Sequence, residues 1–139
     1  LEIGQRLEGC RDAMAEAGLS ETLSVLPAHL VAEAAHPDIA RYLGSVGERP
    51  QGIVAASDVI AMSALRALSE FGLAVPGDVH VIGYDGLAIC EQTVPRLSTV
   101  SQDLTQGAHH MVDMLLRRIA GEDTQSVVME PQLIVRMSS

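Results

Sequence analysis

Aromatic residues are scarce in this chain of 139 residues. They make up 2% of the sequence, which has no tryptophan and only Tyr42, Phe71 and Tyr84. A ligand site that depends mainly on ring stacking is therefore not expected. Cysteine is also rare, and Cys10 and Cys90 lie far apart without a metal-binding motif. We expect reduced, packed thiols rather than a disulfide or a metal site.

Positive charge is scarce as well. The chain has nine Lys and Arg residues and 18 Asp and Glu residues, which gives a formal charge of −9, and the basic residues are scattered along the sequence. By itself such a chain would repel the phosphate backbone of a nucleic acid. No apolar run reaches membrane-spanning length, and no leader with basic, apolar and small-residue segments opens the sequence. We expect a cytoplasmic protein with no membrane partner.

Sequence motifs for catalysis and metal binding are missing. Gly44 to Gly47 lacks the lysine of a phosphate loop, and no G-x-S-x-G, HExxH or CxxC pattern occurs. His109 and His110 are adjacent on a predicted helix, so they point about 100° apart and cannot share one metal ion without distortion. With no nucleophile beside a base, we expect no enzyme activity and no cofactor.

Apolar residues in the chain alternate between helical and strand spacing. Helices are predicted over residues 3–17, 59–71 and 104–120, the last opened by Asp103 with Gln106 as a capping-box variant. Residues 30–43 are helical with Pro37 either kinking one helix or opening a second. The predicted strands are 23–26, 52–56, 79–83, 97–100, 127–129 and 133–135. This alternation predicts an α/β fold with a mostly parallel sheet.

Polar side chains follow two of the predicted parallel strands, where ligands bind in such sheets. Asp58 is expected to cap the next helix, which leaves the Ser57 hydroxyl free to point outward. Asp85, between Gly83 and Gly86, is either a turn residue or a ligand acceptor. Arg6 is either a bidentate ligand contact, a solvent-exposed side chain or the partner of Glu2.

Six segments of the chain match one family in order. The segment VPGDVHVIGYD, residues 75–85, is among them, together with residues 6–19, 55–61, 65–73, 95–102 and 131–136. The chain thereby closely resembles the C-terminal half of the effector-binding domain of LacI/GalR transcriptional regulators. The match extends over essentially the whole sequence.

The resemblance implies an incomplete fold of the type I periplasmic-binding-protein kind, a three-layer α/β lobe from which most of the second lobe is missing. Residues 1–101 and 122–139 would mainly form the C-terminal lobe. Residues 102–121 would cross the hinge and place a helix against the missing lobe. Regulators of this family also carry an N-terminal helix-turn-helix domain and a hinge helix, and neither lies in these residues.

The same resemblance implies residue roles. Arg6, Ser57, Asp85 and Gln102 correspond to effector-contacting positions, which favours a small neutral polyhydroxylated effector such as a sugar, a polyol or a nucleoside. Ser57 departs from the amide or acid often found there. A homodimer is also implied, and we expect Met62 and Arg66, one helical turn apart, to lie at its interface, although Met62 is equally compatible with the core.

Two other functions compete with a regulator. A periplasmic sugar-binding protein of a transport system would use the same fold and the same acid and arginine. The segments at 97–102 and 131–136 favour the regulator. An α/β enzyme is the second competitor, because a fold does not fix a function.

Overall fold

The computed structural model describes residues 2–29 and 31–139. Its sheet has four strands, in the order in which they occur along the chain: β1 (Gly52–Val54), β2 (His80–Asp85), β3 (Ser98–Ser101) and β4 (Gln132–Ile134). The first three are parallel, and β4 runs antiparallel to β3. The predicted α/β class with a mostly parallel sheet is confirmed.

Four α-helices accompany the sheet within the described residues: α1 (Glu2–Glu16), α2 (Ala32–Ser45), α3 (Asp58–Glu70) and α4 (Leu104–Ile119). Short 3₁₀ turns lie at Ser20–Thr22 and Ala88–Glu91. Gly18, Gly72 and Gly121 follow three of the helices with φ of 70°, 68° and 82°, the left-handed geometry that ends a helix and that glycine adopts without a steric penalty.

The core forms where α3 packs on β1 and β2 and α2 packs on α3. Small residues on α3, including the fully buried Ala61 and Ala64, allow the helix to approach the sheet closely. Leu68, Val81 and Leu97 are also fully buried. Each such side chain contributes roughly 1.5–3 kcal/mol to folding through the loss of apolar surface from water.

Several sequence predictions for individual elements were wrong. Residues 23–26 and 127–129 form no strand, and Val128 is 92% exposed. Their β-forming side chains find no neighbouring strand with which to pair among the described residues. Residues 32–45 form one helix that includes Pro37, which favours the first of the two alternatives for that proline. Leu30, where the helical prediction began, lies outside the described residues.

Helix α4 begins as predicted and leaves its apolar face uncovered. The Asp103 carboxylate accepts a hydrogen bond from the backbone N–H of Gln106 at 2.8 Å, and basic residues occupy the last turn. No residue of α4 is buried, and Met111, Leu115 and Ile119 are 68%, 59% and 75% exposed. Exposed apolar faces of this kind usually contact another element. None of the helices in the described ranges is long and apolar enough to cross a membrane.

Candidate effector cleft

Arg6 makes three contacts at the carboxyl edge of the sheet. Its Nη1 donates to the backbone carbonyl of Ala56 at 2.6 Å and lies 3.4 Å from Asp85 Oδ1. Its guanidinium carbon lies 3.7 Å from the centroid of the Tyr84 ring, a cation–π distance. Only 20% of the side chain is exposed. The alternative of a solvent-exposed Arg6 is therefore wrong. The alternative of a pair with Glu2 falls on a side chain that lies outside what the structure describes.

These contacts explain how α1 accommodates a cation close to its N-terminus, at its fifth residue. The positive end of the helix dipole disfavours a cation in the first turn by roughly 0.3–1 kcal/mol, and by less at the position of Arg6. The Ala56 carbonyl, the Asp85 carboxylate and the face of the Tyr84 ring all present negative charge or partial negative charge to the guanidinium. Arg6 therefore joins α1 to the ends of β1 and β2 in a fixed orientation.

Asp85 ends β2 in an uncommon backbone conformation. Its φ is 116°, a value that side chains other than glycine rarely adopt, and Gly86 follows with φ of 75°. Strained residues of this kind cluster at functional sites. Partial burial raises the pKa of the Asp85 carboxyl, the Arg6 charge opposes that rise, and the Asp58 carboxyl adds to it. Because its contact with Arg6 is long, Asp85 keeps room to accept further hydrogen bonds.

Beside Arg6 lies an open cleft of about 410 Å³. It is lined by Gln5, Arg6, Gly9, Tyr84 and Gln102. Tyr84 and Gln102 also border a smaller cavity of about 190 Å³, which continues between α4 and residues 129–131. The cleft is large enough for a small polar metabolite, and its lining offers amide, guanidinium and phenol groups.

The predicted roles of Ser57 and Asp58 were both wrong. The Ser57 hydroxyl, not the Asp58 carboxylate, accepts from the N–H of Ile60 at 3.3 Å and so caps α3. Asp58 is fully buried, accepting from the N–H of Leu87 at 2.7 Å and from the Thr99 hydroxyl at 2.5 Å. Glycine at position 83 makes this possible, because a side chain there would collide with the Asp58 carboxylate.

The four predicted effector residues are only partly brought together. Arg6 and Asp85 are in contact, and Gln102 lines the same cleft as Arg6. Ser57 and Asp85 are not among the lining residues. Asp85 borders the cleft only through its contact with Arg6, and the Ser57 hydroxyl is occupied by the helix cap. Tyr84 lines the cleft although it was not predicted to, because the scarcity of aromatic residues argued against ring contacts with a ligand. Its position directly before Asp85 at a strand end was the available signal.

The predicted interface residues lie on α3. Met62 is partly buried and packs against the core, as in the intramolecular alternative, whereas Arg66 is exposed. Arg66 pairs with Glu70 one turn later at 2.9 Å, and Glu70 also contacts His36 at 2.8 Å. A surface pair of this kind contributes roughly 0.3–0.5 kcal/mol.

Both cysteines are free; Cys90 is buried and Cys10 is half-buried. Burial and a hydrogen bond to Asp58 raise the pKa of the Cys90 thiol to about 12, so this thiol is inert at neutral pH. His109 is exposed and His110 partly buried. In the part of the chain that the structure describes, no group of three His, Cys, Asp or Glu side chains could hold a metal ion.

Comparison with known proteins identifies relatives that share this fold. The periplasmic binding protein-like domain family matches residues 2–139. The HTH-type transcriptional repressor PurR of Edwardsiella ictaluri (strain 93-146) is 33% identical over 138 residues, which are 97% of this chain and 40% of that protein. This chain thus spans less than half the length of that regulator.

Two solved structures are also similar. The LacI family transcriptional regulator of Arthrobacter sp. FB24, in complex with lactose, is 34% identical with a TM-score of 0.81 over 91% of this chain and 47% of that one. The LacI family regulator of Enterococcus faecium, with bound ribose, is 26% identical with a TM-score of 0.88 over 99% of this chain and 51% of that one. These relatives are transcriptional regulators. The chain belongs to the periplasmic binding protein-like domain family and, within it, to the effector-binding domains of LacI/GalR transcriptional regulators.

Proposed function

We propose that this chain forms one wall of an effector cleft in a transcriptional regulator, and that the effector is a small uncharged polyhydroxylated metabolite, with a sugar as the first candidate. The observation that carries the proposal is the contact between Arg6 and Asp85 beside an open polar cleft.

The charges at the cleft favour a neutral ligand. Arg6 is already paired with a carboxylate and a carbonyl, so an anionic ligand would have to compete with Asp85 for it. Sugar hydroxyls can instead donate to the Asp85 carboxylate and accept from the guanidinium. The solved regulators with bound lactose and ribose contain ligands of this neutral class.

Gln102 and Tyr84 are proposed as further ligand contacts. Gln102 follows β3 and contributes an amide that both donates and accepts, and Tyr84 holds the guanidinium on its ring. The Ser57 hydroxyl could serve the effector only if it exchanged the N–H of Ile60 for a ligand group. We therefore rank Ser57 below the other three predicted contacts.

A second lobe is proposed to close the cleft by packing on α4. The exposed apolar side chains of that helix, Met111, Leu115 and Ile119 among them, supply the surface for it. Effector binding would then change the relative position of the two lobes, and this coupling requires different affinities for the two lobe arrangements. In a homodimer with a face on α3 near Arg66, the change would alter how two DNA-reading domains match their half-sites.

The proposal, which places the regulator in the cytoplasm, is tested on the full-length protein that carries this chain. Thermal-shift screening against neutral sugars, polyols and nucleosides, with the corresponding phosphates as anionic controls, should give stabilisation by a neutral compound. A ligand at 100 times its Kd stabilises by roughly 2.7 kcal/mol. A gel-shift assay with operator DNA, with and without that compound, should show altered DNA binding. Stabilisation only by the phosphorylated controls would contradict the neutral-ligand proposal.

The competing transport function is distinguished by the gene sequence that precedes this chain. A helix-turn-helix signature followed by a hinge helix supports a regulator. A secretory leader in its place would support a periplasmic sugar-binding protein, which the present comparison with regulators does not favour.

A further inference from the structure

Asp58 is a fully buried acid that does not line the cleft. Its two carboxylate oxygens accept hydrogen bonds from different parts of the chain. Oδ2 accepts from the backbone N–H of Leu87 at 2.7 Å, and Oδ1 accepts from the Thr99 hydroxyl at 2.5 Å. The carboxylate therefore connects the first turn of α3 to β3 and to the segment that follows Asp85.

Thr99 extends this connection by one more hydrogen bond. Its Oγ1 accepts from the backbone N–H of Gly86 at 3.3 Å while its own proton goes to Asp58. The two consecutive N–H groups after Asp85, those of Gly86 and Leu87, thus both donate to side chains that do not line the cleft. The bonds share one direction, from Gly86 to Thr99 to Asp58, an arrangement in which each polarises the next.

The backbone of this segment needs such support. Asp85 has φ of 116° and Gly86 has φ of 75°, so two successive residues depart from the ordinary strand geometry. Gly86 also lies so close to Ser101 that a Cβ atom would collide with its side chain. Strained backbone of this kind persists only where surrounding contacts fix it.

We infer that Asp58 and Thr99 are positioning residues for the effector cleft: they hold the amides of Gly86 and Leu87 and thereby present the Asp85 carboxylate to Arg6 and to the ligand. The effect on ligand binding rests on the proposed function. The positioning of the segment after Asp85 rests on the hydrogen bonds alone. Asp58 does not line the cleft, and it acts through the segment after Asp85 that its hydrogen bonds hold.

The test compares Thr99→Val with Thr99→Ser in the full-length protein. Valine has nearly the same shape but neither accepts from Gly86 nor donates to Asp58, whereas serine retains the hydroxyl. Hydrogen–deuterium exchange by mass spectrometry reports on the peptide that covers residues 84–90. Leu43→Ala, which removes core packing on α2 away from the cleft, is the control for general destabilisation.

The amides of Gly86 and Leu87 should exchange at least tenfold faster in Thr99→Val than in the wild type, and close to the wild-type rate in Thr99→Ser and in Leu43→Ala. Asp58→Asn provides a second variant that keeps the side-chain shape, and it should accelerate exchange at Leu87. Wild-type exchange in Thr99→Val, or equal acceleration in Leu43→Ala, would overturn the positioning role.

Calorimetry with ribose and with lactose separates this inference from the proposed function. For whichever of the two sugars the wild type binds, Thr99→Val should raise Kd at least tenfold and Thr99→Ser less than threefold. An unchanged Kd in Thr99→Val would also overturn the inference. If the wild type binds neither sugar, these two ligands are excluded, and the exchange experiment still decides whether Thr99 holds the segment.

Discussion

Replacing Asp85 by glycine and by alanine separates the contribution of its backbone geometry from that of its carboxylate. Both substitutions remove the group that contacts Arg6. Only alanine keeps a Cβ atom, which must then occupy a backbone with φ of 116°. The two variants therefore differ in backbone strain and in the conformational freedom of the unfolded chain, and in little else.

The expected difference in stability follows from these two effects. A residue other than glycine in a sparsely populated backbone region costs roughly 1–3 kcal/mol. Folding costs about 0.4–1 kcal/mol more with glycine than with alanine, because the unfolded chain has more conformational freedom at a glycine. The glycine variant should therefore be the more stable by about 1 kcal/mol, or roughly 2–4 °C in melting temperature for a protein domain of 150–250 residues.

Both variants should lose effector affinity to the same extent. A hydrogen bond to a charged group contributes roughly 1.5–3 kcal/mol, so the loss should exceed tenfold in Kd. Differential scanning calorimetry and titration calorimetry on the full-length protein measure the two quantities. An alanine variant that is as stable as the glycine variant would show that position 85 is unstrained. Unchanged affinity in both would remove Asp85 from the site.

Three further predictions concern the same edge of the sheet. Burial raises the pKa of the Asp85 carboxyl above the ordinary 3.8, so sugar affinity should fall as the pH decreases through that raised pKa and the carboxylate is protonated. The stability that this group contributes is present below pH 3.8 and is lost as the pH rises through the native pKa. In Asp85→Asn, calorimetry and melting curves should lack both changes. Arg6→Lys should raise Kd at least tenfold, because a point charge cannot both stack on the tyrosine ring and hold the contacts of the planar guanidinium; equal affinity would contradict this. Gly83→Ala should lower stability by about 1–3 kcal/mol, since its Cβ collides with Asp58, whereas Gly47→Ala, with open space around it, should not; equal melting temperatures would refute the close packing.

The fold class could be predicted from the sequence because its signals are local. The apolar runs before Ser57 and Asp85, each followed or preceded by helical spacing, are enough to indicate parallel strands joined by helices. The end of α1 at Gly18 and the start of α4 at Asp103 follow from the backbone requirements of helix termini. The strands predicted at 23–26 and 127–129 do not form. Such local signals cannot predict a strand reliably, because β propensity does not tell whether a neighbouring strand exists.

The candidate site could be predicted only in part. Arg6 and Asp85 were identified by the positions that they occupy in the resembling family, and the structure brings them within 3.4 Å. That Ser57 and not Asp58 caps α3 could not be predicted, because either residue can cap a helix. What decides between them is the tertiary contact of Asp58 with Thr99 and Leu87, residues that are distant in sequence.

A structure of the full-length protein with its bound effector tests the central claim most directly. The account predicts a neutral ligand whose hydroxyl groups lie within hydrogen-bond distance of both the Arg6 guanidinium and the Asp85 carboxylate, enclosed by a second lobe that packs on α4. A ligand bound elsewhere, or an anion that displaces Asp85 from Arg6, would contradict it.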